Sequence, residues 1–130
     1  MFKILLFSAL GVVWLLFIAA AYSGRRTANG HVMRLVPRHR RKGRRLFYAV
    51  AGLIVIIEVL VRGRGGASVY DTLLWVHISL SILFFSCLAL MNFWFNGRRS
   101  SLHRWFAYSS LVLLIGVTVT AIPIISRMPG

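Results

Sequence analysis

The stretch TLLWVHISLSILFFSCLALMNFWF, residues 72–95, decides the fold, because it is almost entirely apolar over a length that crosses a bilayer. A transmembrane helix needs about 20 apolar residues to span a hydrocarbon core of about 30 Å. Only helices and closed barrels satisfy their backbone hydrogen bonds in lipid, and strand-like alternation is missing from this stretch. We therefore predict a transmembrane helix here.

Three further apolar stretches make the chain of 130 residues a predicted membrane protein. The four helices are predicted at about residues 4–22, 46–61, 72–95 and 105–125. Short connections make neighbouring helices antiparallel, so the expected fold is all-α, a single up-down bundle of four transmembrane helices over residues 1–130. The first helix could instead be a cleaved signal peptide, but the basic residues after it argue for its retention.

The placement of charge decides the orientation and the partners. The chain has 16 Lys and Arg against two acidic residues, a formal net charge of +14. Twelve basic residues fall in the first and third connections and four at the opposite end. Positive residues stay in the cytoplasm, so both termini are predicted to lie outside a bacterial cytoplasmic (inner) membrane, with a basic cytoplasmic loop at 23–45. This loop favours contact of residues 25–45 with anionic lipid headgroups over nucleic acid, which is not an expected partner.

Two ionisable residues inside the predicted helices form the first candidate site, since such groups are costly in lipid. His77 lies about 9 Å, and Glu58 about 6 Å, below the outer boundary of the membrane at 1.5 Å per residue. A Glu58–His77 pair would fix the imidazole tautomer and suit a cofactor or metal ligand. Alternatively, Glu58 pairs with Arg62 one turn on, and His77 is a core histidine or part of a proton relay.

His39 and His103 form the second candidate site, at the cytoplasmic boundary. Each could be an interfacial basic residue, but both precede helices that start on the same side, so the two can approach each other. Axial ligands of one haem iron lie about 4 Å apart, because each bond is about 2 Å long. His77 and His103 should be separated by most of the membrane, so we do not expect them to share a metal.

The remaining polar residues are predicted to have structural roles. Asp71 is expected to cap the third helix and Cys87 to fill space within it. The small polar residues of the third helix recur at intervals of seven residues, at Thr72, Ser79 and Ser86. This spacing predicts that the third helix has a second packed face and lies at the centre of the bundle. The sequence has no HExxH, CxxC or Walker motif, so no independent catalytic activity is expected.

Three segments resemble those of a bacterial family of four-helix membrane proteins long classed as having unknown function. They are RHRRKGRRLFYAVAGLIVIIEVL at 38–60, WVHISLSILFFSCLALMNFWF at 75–95 and SSLHRWFAYSSLVLLIGVTVTAIPII at 100–125. Members are associated with haem–copper cytochrome oxidases, and one branch is implicated in oxidase maturation. The chain departs from the family at Glu58, where members often have Tyr or His, and it lacks their Pro after His77.

The resemblance implies that His39, His77 and His103 are the family's histidines and that haem b or copper is the cofactor. It implies an accessory subunit or assembly factor of a respiratory electron-transport complex, partnered by that complex's subunits. Two alternatives stay open. The chain is also similar in outline to four-helix b-type cytochromes, although it lacks their two matched histidine pairs, or it is a purely structural subunit.

The predicted orientation can be tested directly. A reporter fused after Gly130 should be active only outside the cytoplasm, because the basic connections stay inside. A reporter fused within the basic loop at 23–45 provides the matched control and should show the opposite pattern. Cytoplasmic activity of the first fusion would contradict the orientation.

Overall fold

A computed structural model of the chain is all-helical and describes residues 2–29, 36–63, 72–94 and 101–127. It confirms the prediction of an all-α fold with four helices. The helices are α1 (Phe2–Asn29), α2 (Val36–Gly63), α3 (Thr72–Ala89) with a π-helical turn (Leu90–Trp94) at its end, and α4 (Ser101–Arg127).

Three of the described helices, α1, α3 with its π-helical turn and α4, are long and apolar enough to cross a membrane. Little of each span is buried in the bundle: 22%, 11% and 28% of the most apolar window, respectively. Most of their large apolar side chains therefore face outward. Such an apolar outer surface is favourable in lipid and unfavourable in water. The chain is a membrane protein.

The helices extend beyond the apolar stretches that revealed them. The loop expected at 23–45 is largely helical, since α1 continues to Asn29 and α2 already begins at Val36. Arg and Lys are good helix formers, and Pro37 lies in the first turn of α2, where its missing N–H leaves no bond unmade. Hydropathy locates only the apolar part of a helix, and the first turns of α2 are polar.

Neighbouring helices run antiparallel, and the bundle closes where α4 packs on α1. The Nζ of Lys3, at the start of α1, donates a hydrogen bond to the backbone oxygen of Ser126, at the end of α4, over 3.1 Å. The ring of Phe47, in the first half of α2, stacks on that of Phe85 in α3 with 4.7 Å between centres. These contacts give the expected up-down order and bring the start of α1 and the end of α4 together.

The core lies between all four helices. Leu88 and Leu114 are its most enclosed apolar residues, each 1% exposed. Ser110 is fully buried but donates to the backbone oxygen of Phe106 over 2.7 Å, so its hydroxyl is not left unpaired. The main cluster of buried residues consists of Val13, Phe17, Ala20, Leu46, Val50, Phe84, Leu88 and Leu114.

The predicted second packed face of α3 is wrong. Thr72, Ser79 and Ser86 are all exposed on the outside of the bundle. The hydroxyl of Ser86 donates to the backbone oxygen of Ile82 over 2.8 Å, so its own helix satisfies it and no neighbour is needed. α3 therefore packs through one side only.

The position of the core leads to a stability prediction. Leu88→Ala should lower the free energy of unfolding by about 2 kcal/mol or more, because it leaves a cavity among four helices. Leu83→Ala, on the same helix at a position that is 53% exposed, is the matched control and should have a much smaller effect. Unfolding of the detergent-solubilised protein measures both. Equal destabilisation would contradict this core.

Candidate functional site

The candidate site lies where the end of α1 meets the starts of α2 and α4. The imidazole rings of His39 and His103 have their centres 6.0 Å apart, with 79° between their planes. Both side chains are partly buried. The expectation that these two residues approach each other is thus met in the structure.

α1 holds the His39 ring in one tautomer. The Oγ of Ser23 lies 3.0 Å from Nδ1 of His39 and donates its own proton to the backbone oxygen of Ala20 over 2.9 Å. A hydroxyl has one proton to donate, so Nδ1 of His39 carries a proton and donates it to Ser23. The lone pair of His39 is therefore on Nε2, as this hydrogen-bond network assigns it.

The same imidazole rests against the backbone of α1 at Gly24. A Cβ on this residue would lie 2.9 Å from Cε1 of His39 and 3.4 Å from its Nε2. A residue without a side chain is thus needed at position 24, so that the imidazole of His39 can lie against α1. Sequence reasoning missed both Ser23 and Gly24, because both fall in the segment predicted to be a loop.

The surroundings of His39 favour its neutral form. Burial lowers its pKa below the ordinary 6.5, the neighbouring His103 lowers it further, the Ala20 carbonyl raises it, and Lys42 adds the smallest lowering effect. The neutral ring therefore contributes stability that is present above pH 6.5 and is lost as the pH falls below it, since the unfolded chain takes up the proton first. His39 is neutral at pH 7 and able to accept a metal ion.

His77 is held in the same way at the other end of the bundle. Its Nδ1 lies 2.8 Å from Oγ1 of Thr120, which donates to the backbone oxygens of Gly116 and Val117 over 2.9 and 3.1 Å. His77 therefore donates from Nδ1 and keeps its lone pair on Nε2. The expected Glu58 partner lies on α2, but its side chain is outside the described residues, so that pairing stays a prediction.

The two sites are far apart. His103 and Thr120 both lie on α4, seventeen residues apart, which is roughly 25 Å at the rise of an α-helix. Because Thr120 contacts His77, the two imidazoles cannot bind one metal, as the sequence predicts. The described residues contain no group of three or more His, Cys, Asp or Glu side chains that could hold a metal ion. His31 and Asp71 lie outside them.

Asn92 fixes α2 against the end of α3, close to the His39 site. Its Nδ2 donates to the backbone oxygen of Leu88 over 2.8 Å, and its Oδ1 would lie 2.6 Å from a Cβ on Gly43. Gly43 follows His39 by one helical turn on the inner face of α2. The close approach at Gly43 therefore helps set the position from which His39 reaches α1.

Comparisons of the chain with models of protein families, with curated proteins and with solved structures found no match.

The contact at Gly24 gives a prediction specific to His39. Gly24→Ala should push the imidazole off α1, because an added Cβ lies too close to Cε1. The ring then becomes more exposed, so the pKa of His39 should rise towards 6.5 in a titration followed by NMR. Gly11→Ala is the matched control, since nothing lies within 4 Å of a Cβ there. A His39 pKa that stays low in Gly24→Ala would contradict this role.

Proposed function

We propose that this chain is a membrane accessory protein of a respiratory electron-transport complex of the haem–copper oxidase type, and that it binds copper between His39 and His103. The observation that carries the proposal is the pair of imidazoles with centres 6.0 Å apart at the meeting point of three helices. The resemblance of three segments to oxidase-associated proteins directs it to a respiratory complex.

The spacing of the rings suits one metal ion. Two imidazoles on opposite sides of an ion have ring centres roughly 6 Å apart, because each metal–nitrogen bond is about 2 Å long and each nitrogen lies about 1 Å from its ring centre. The hydrogen bond from Nδ1 of His39 to Ser23 orients the ring and raises its basicity at Nε2, as outer partners of metal ligands do. Zinc sites take four ligands, whereas copper(I) accepts two nitrogen donors, so two histidines favour copper.

Haem fits this site poorly. The backbone of α1 passes close to the His39 ring, with a Cβ position at Gly24 2.9 Å from Cε1 and 3.4 Å from Nε2, which leaves little space for a macrocycle on this side of the ring. We therefore favour a bare ion over haem b at His39 and His103, which also argues against the small b-type cytochrome. His77 remains a separate candidate ligand for haem or copper.

The membrane topology is part of the proposal. The contact between Lys3 and Ser126 brings the start of α1 and the end of α4 to the same end of the bundle. An even number of crossings is then required, so α2 is proposed to cross as well, through its apolar residues 46–61. The basic residues on the first turns of α2 would face anionic headgroups on the cytoplasmic side of a bacterial inner membrane.

A purely structural subunit is the second candidate. It is favoured by the hydrogen bonds of His39 to Ser23 and of His77 to Thr120, because a buried imidazole with a hydroxyl partner needs no metal. This candidate predicts that the protein copurifies with a larger complex in fixed ratio and tolerates His39→Gln.

Copper binding separates the two candidates. The purified protein, loaded with copper(I) without oxygen, should retain the ion against a chelator, and His39→Gln and His103→Gln should lose it. His77→Gln is the matched control and should retain it, since His77 lies at the other end of the bundle. Retention by all three variants, or no binding by the parent protein, would overturn the metal site.

The respiratory role needs a readout in cells. His39→Gln should lower the oxidase activity of cell membranes while the variant protein itself accumulates normally. Unchanged oxidase activity and assembly would argue against the accessory role, and a haem absorption spectrum in the purified parent protein would favour the cytochrome instead.

A further inference from the structure

A shallow pocket of about 240 Å³ lies on the first two turns of α4, and neither His103 nor His77 lines it. It is lined by Ser101, Arg104, Trp105 and Tyr108. These positions are spaced by three or four residues, so they share one face of the first two turns of the helix. We call this feature the α4 groove.

All four side chains that line the α4 groove carry hydrogen-bond donors: two hydroxyls, an indole N–H and a guanidinium. Within the described part of the chain, none of these side chains forms a hydrogen bond or an ion pair. The whole chain has only two acidic residues, Glu58 and Asp71, and the sequence places both near the opposite end of the bundle. The groove is therefore suited to an anion supplied from outside the chain.

The groove lies at the level where membrane proteins meet headgroups. Trp105 and Tyr108 are 71% and 68% exposed. Trp94, at the end of the π-helical turn, and Tyr48, in α2, are exposed at the same end of the bundle. Trp and Tyr are enriched at the membrane interface, where one side of the ring meets apolar carbons and its polar group meets water.

Below the groove, the same face of α4 is apolar and exposed. It carries Val112, Ile115, Val119 and Ile122 at alternating spacings of three and four residues. From Val112 to Ile122 the helix rises about 15 Å, which is about half of a bilayer core of 30 Å, or one leaflet. Donors at headgroup depth thus continue directly into an apolar stripe the length of one lipid tail.

We propose that the α4 groove binds the headgroup phosphate of an anionic phospholipid, with one acyl chain lying along Val112–Ile122. Arg104 supplies the charge, and charge-assisted bonds from a guanidinium to phosphate are the strongest available here. Trp105 and Tyr108 add donors and cover the glycerol carbons. This site differs from the diffuse attraction of the basic turns of α2, which holds no lipid in a fixed place.

The experiment uses the full chain in phosphatidylcholine vesicles that contain lipid with brominated tails, which quench nearby tryptophans. The quenching of Trp105 is obtained by subtracting the fluorescence quenching of the Trp105→Phe variant from that of the parent protein. Brominated phosphatidylglycerol should compete for this position better than brominated phosphatidylcholine, and Arg104→Gln should reduce that preference roughly fivefold. Arg41→Gln removes an exposed charge on α2 and is the matched control, so the preference should survive in it.

Three results would overturn the proposal. The first is equal quenching by the two lipids in the parent protein, which would mean that no anionic headgroup is selected. The second is an equal loss in Arg104→Gln and Arg41→Gln, which would leave only diffuse attraction. The third is full displacement of the lipid by excess inorganic phosphate, which would make the groove a site for a free anion. None of these readouts depends on the proposed metal site.

Discussion

One interaction recurs at three contacts between the helices: a hydroxyl donates to its own helix and accepts from the next. Thr118 donates to the backbone oxygen of Leu114 and accepts from the indole of Trp14, which joins α4 to α1. Ser23 serves His39 in the same way, and Thr120 serves His77. Lipid supplies no hydrogen bonds, so each polar group in the span must find its partner within the protein.

This interaction has a consequence for chemistry as well as for packing. An interhelical hydrogen bond in a membrane contributes on average only about 0.6 kcal/mol to stability. Its larger effect here is geometric, because a hydroxyl whose proton is already used can only accept. Both His39 and His77 must then present the N–H at Nδ1 and keep Nε2 for any ligand. Ser23 and Thr120, through their hydrogen bonds to Nδ1, thus decide that Nε2 is the available nitrogen.

The sequence predicts the helices well and their contacts less well. The apolar stretch at 72–95 is sufficient to identify α3, and the order of helices along the chain is sufficient to bring His39 near His103. The partners Ser23, Thr120 and Asn92 depend on how each helix is rotated and how far it extends beyond its apolar part, which hydropathy does not record. The prediction that Ser86 packs against a neighbour is wrong because a serine that bonds to its own helix looks the same in sequence as one that packs.

Because of the π-helical turn at Leu90–Trp94, the number of residues in α3 determines which way the side chains at its end point. A π turn holds one residue more than an α turn, so the residues after it are rotated by about 100° relative to a helix without it. With this extra residue, Phe93 contacts the ring of Phe47 at 5.1 Å and Trp94 is 81% exposed. Deleting Leu90 would turn each following residue back by about 100°, so that Trp94 would point where Phe93 now points. The end of α3 is therefore sensitive to single insertions and deletions in a way that a substitution scan would not reveal.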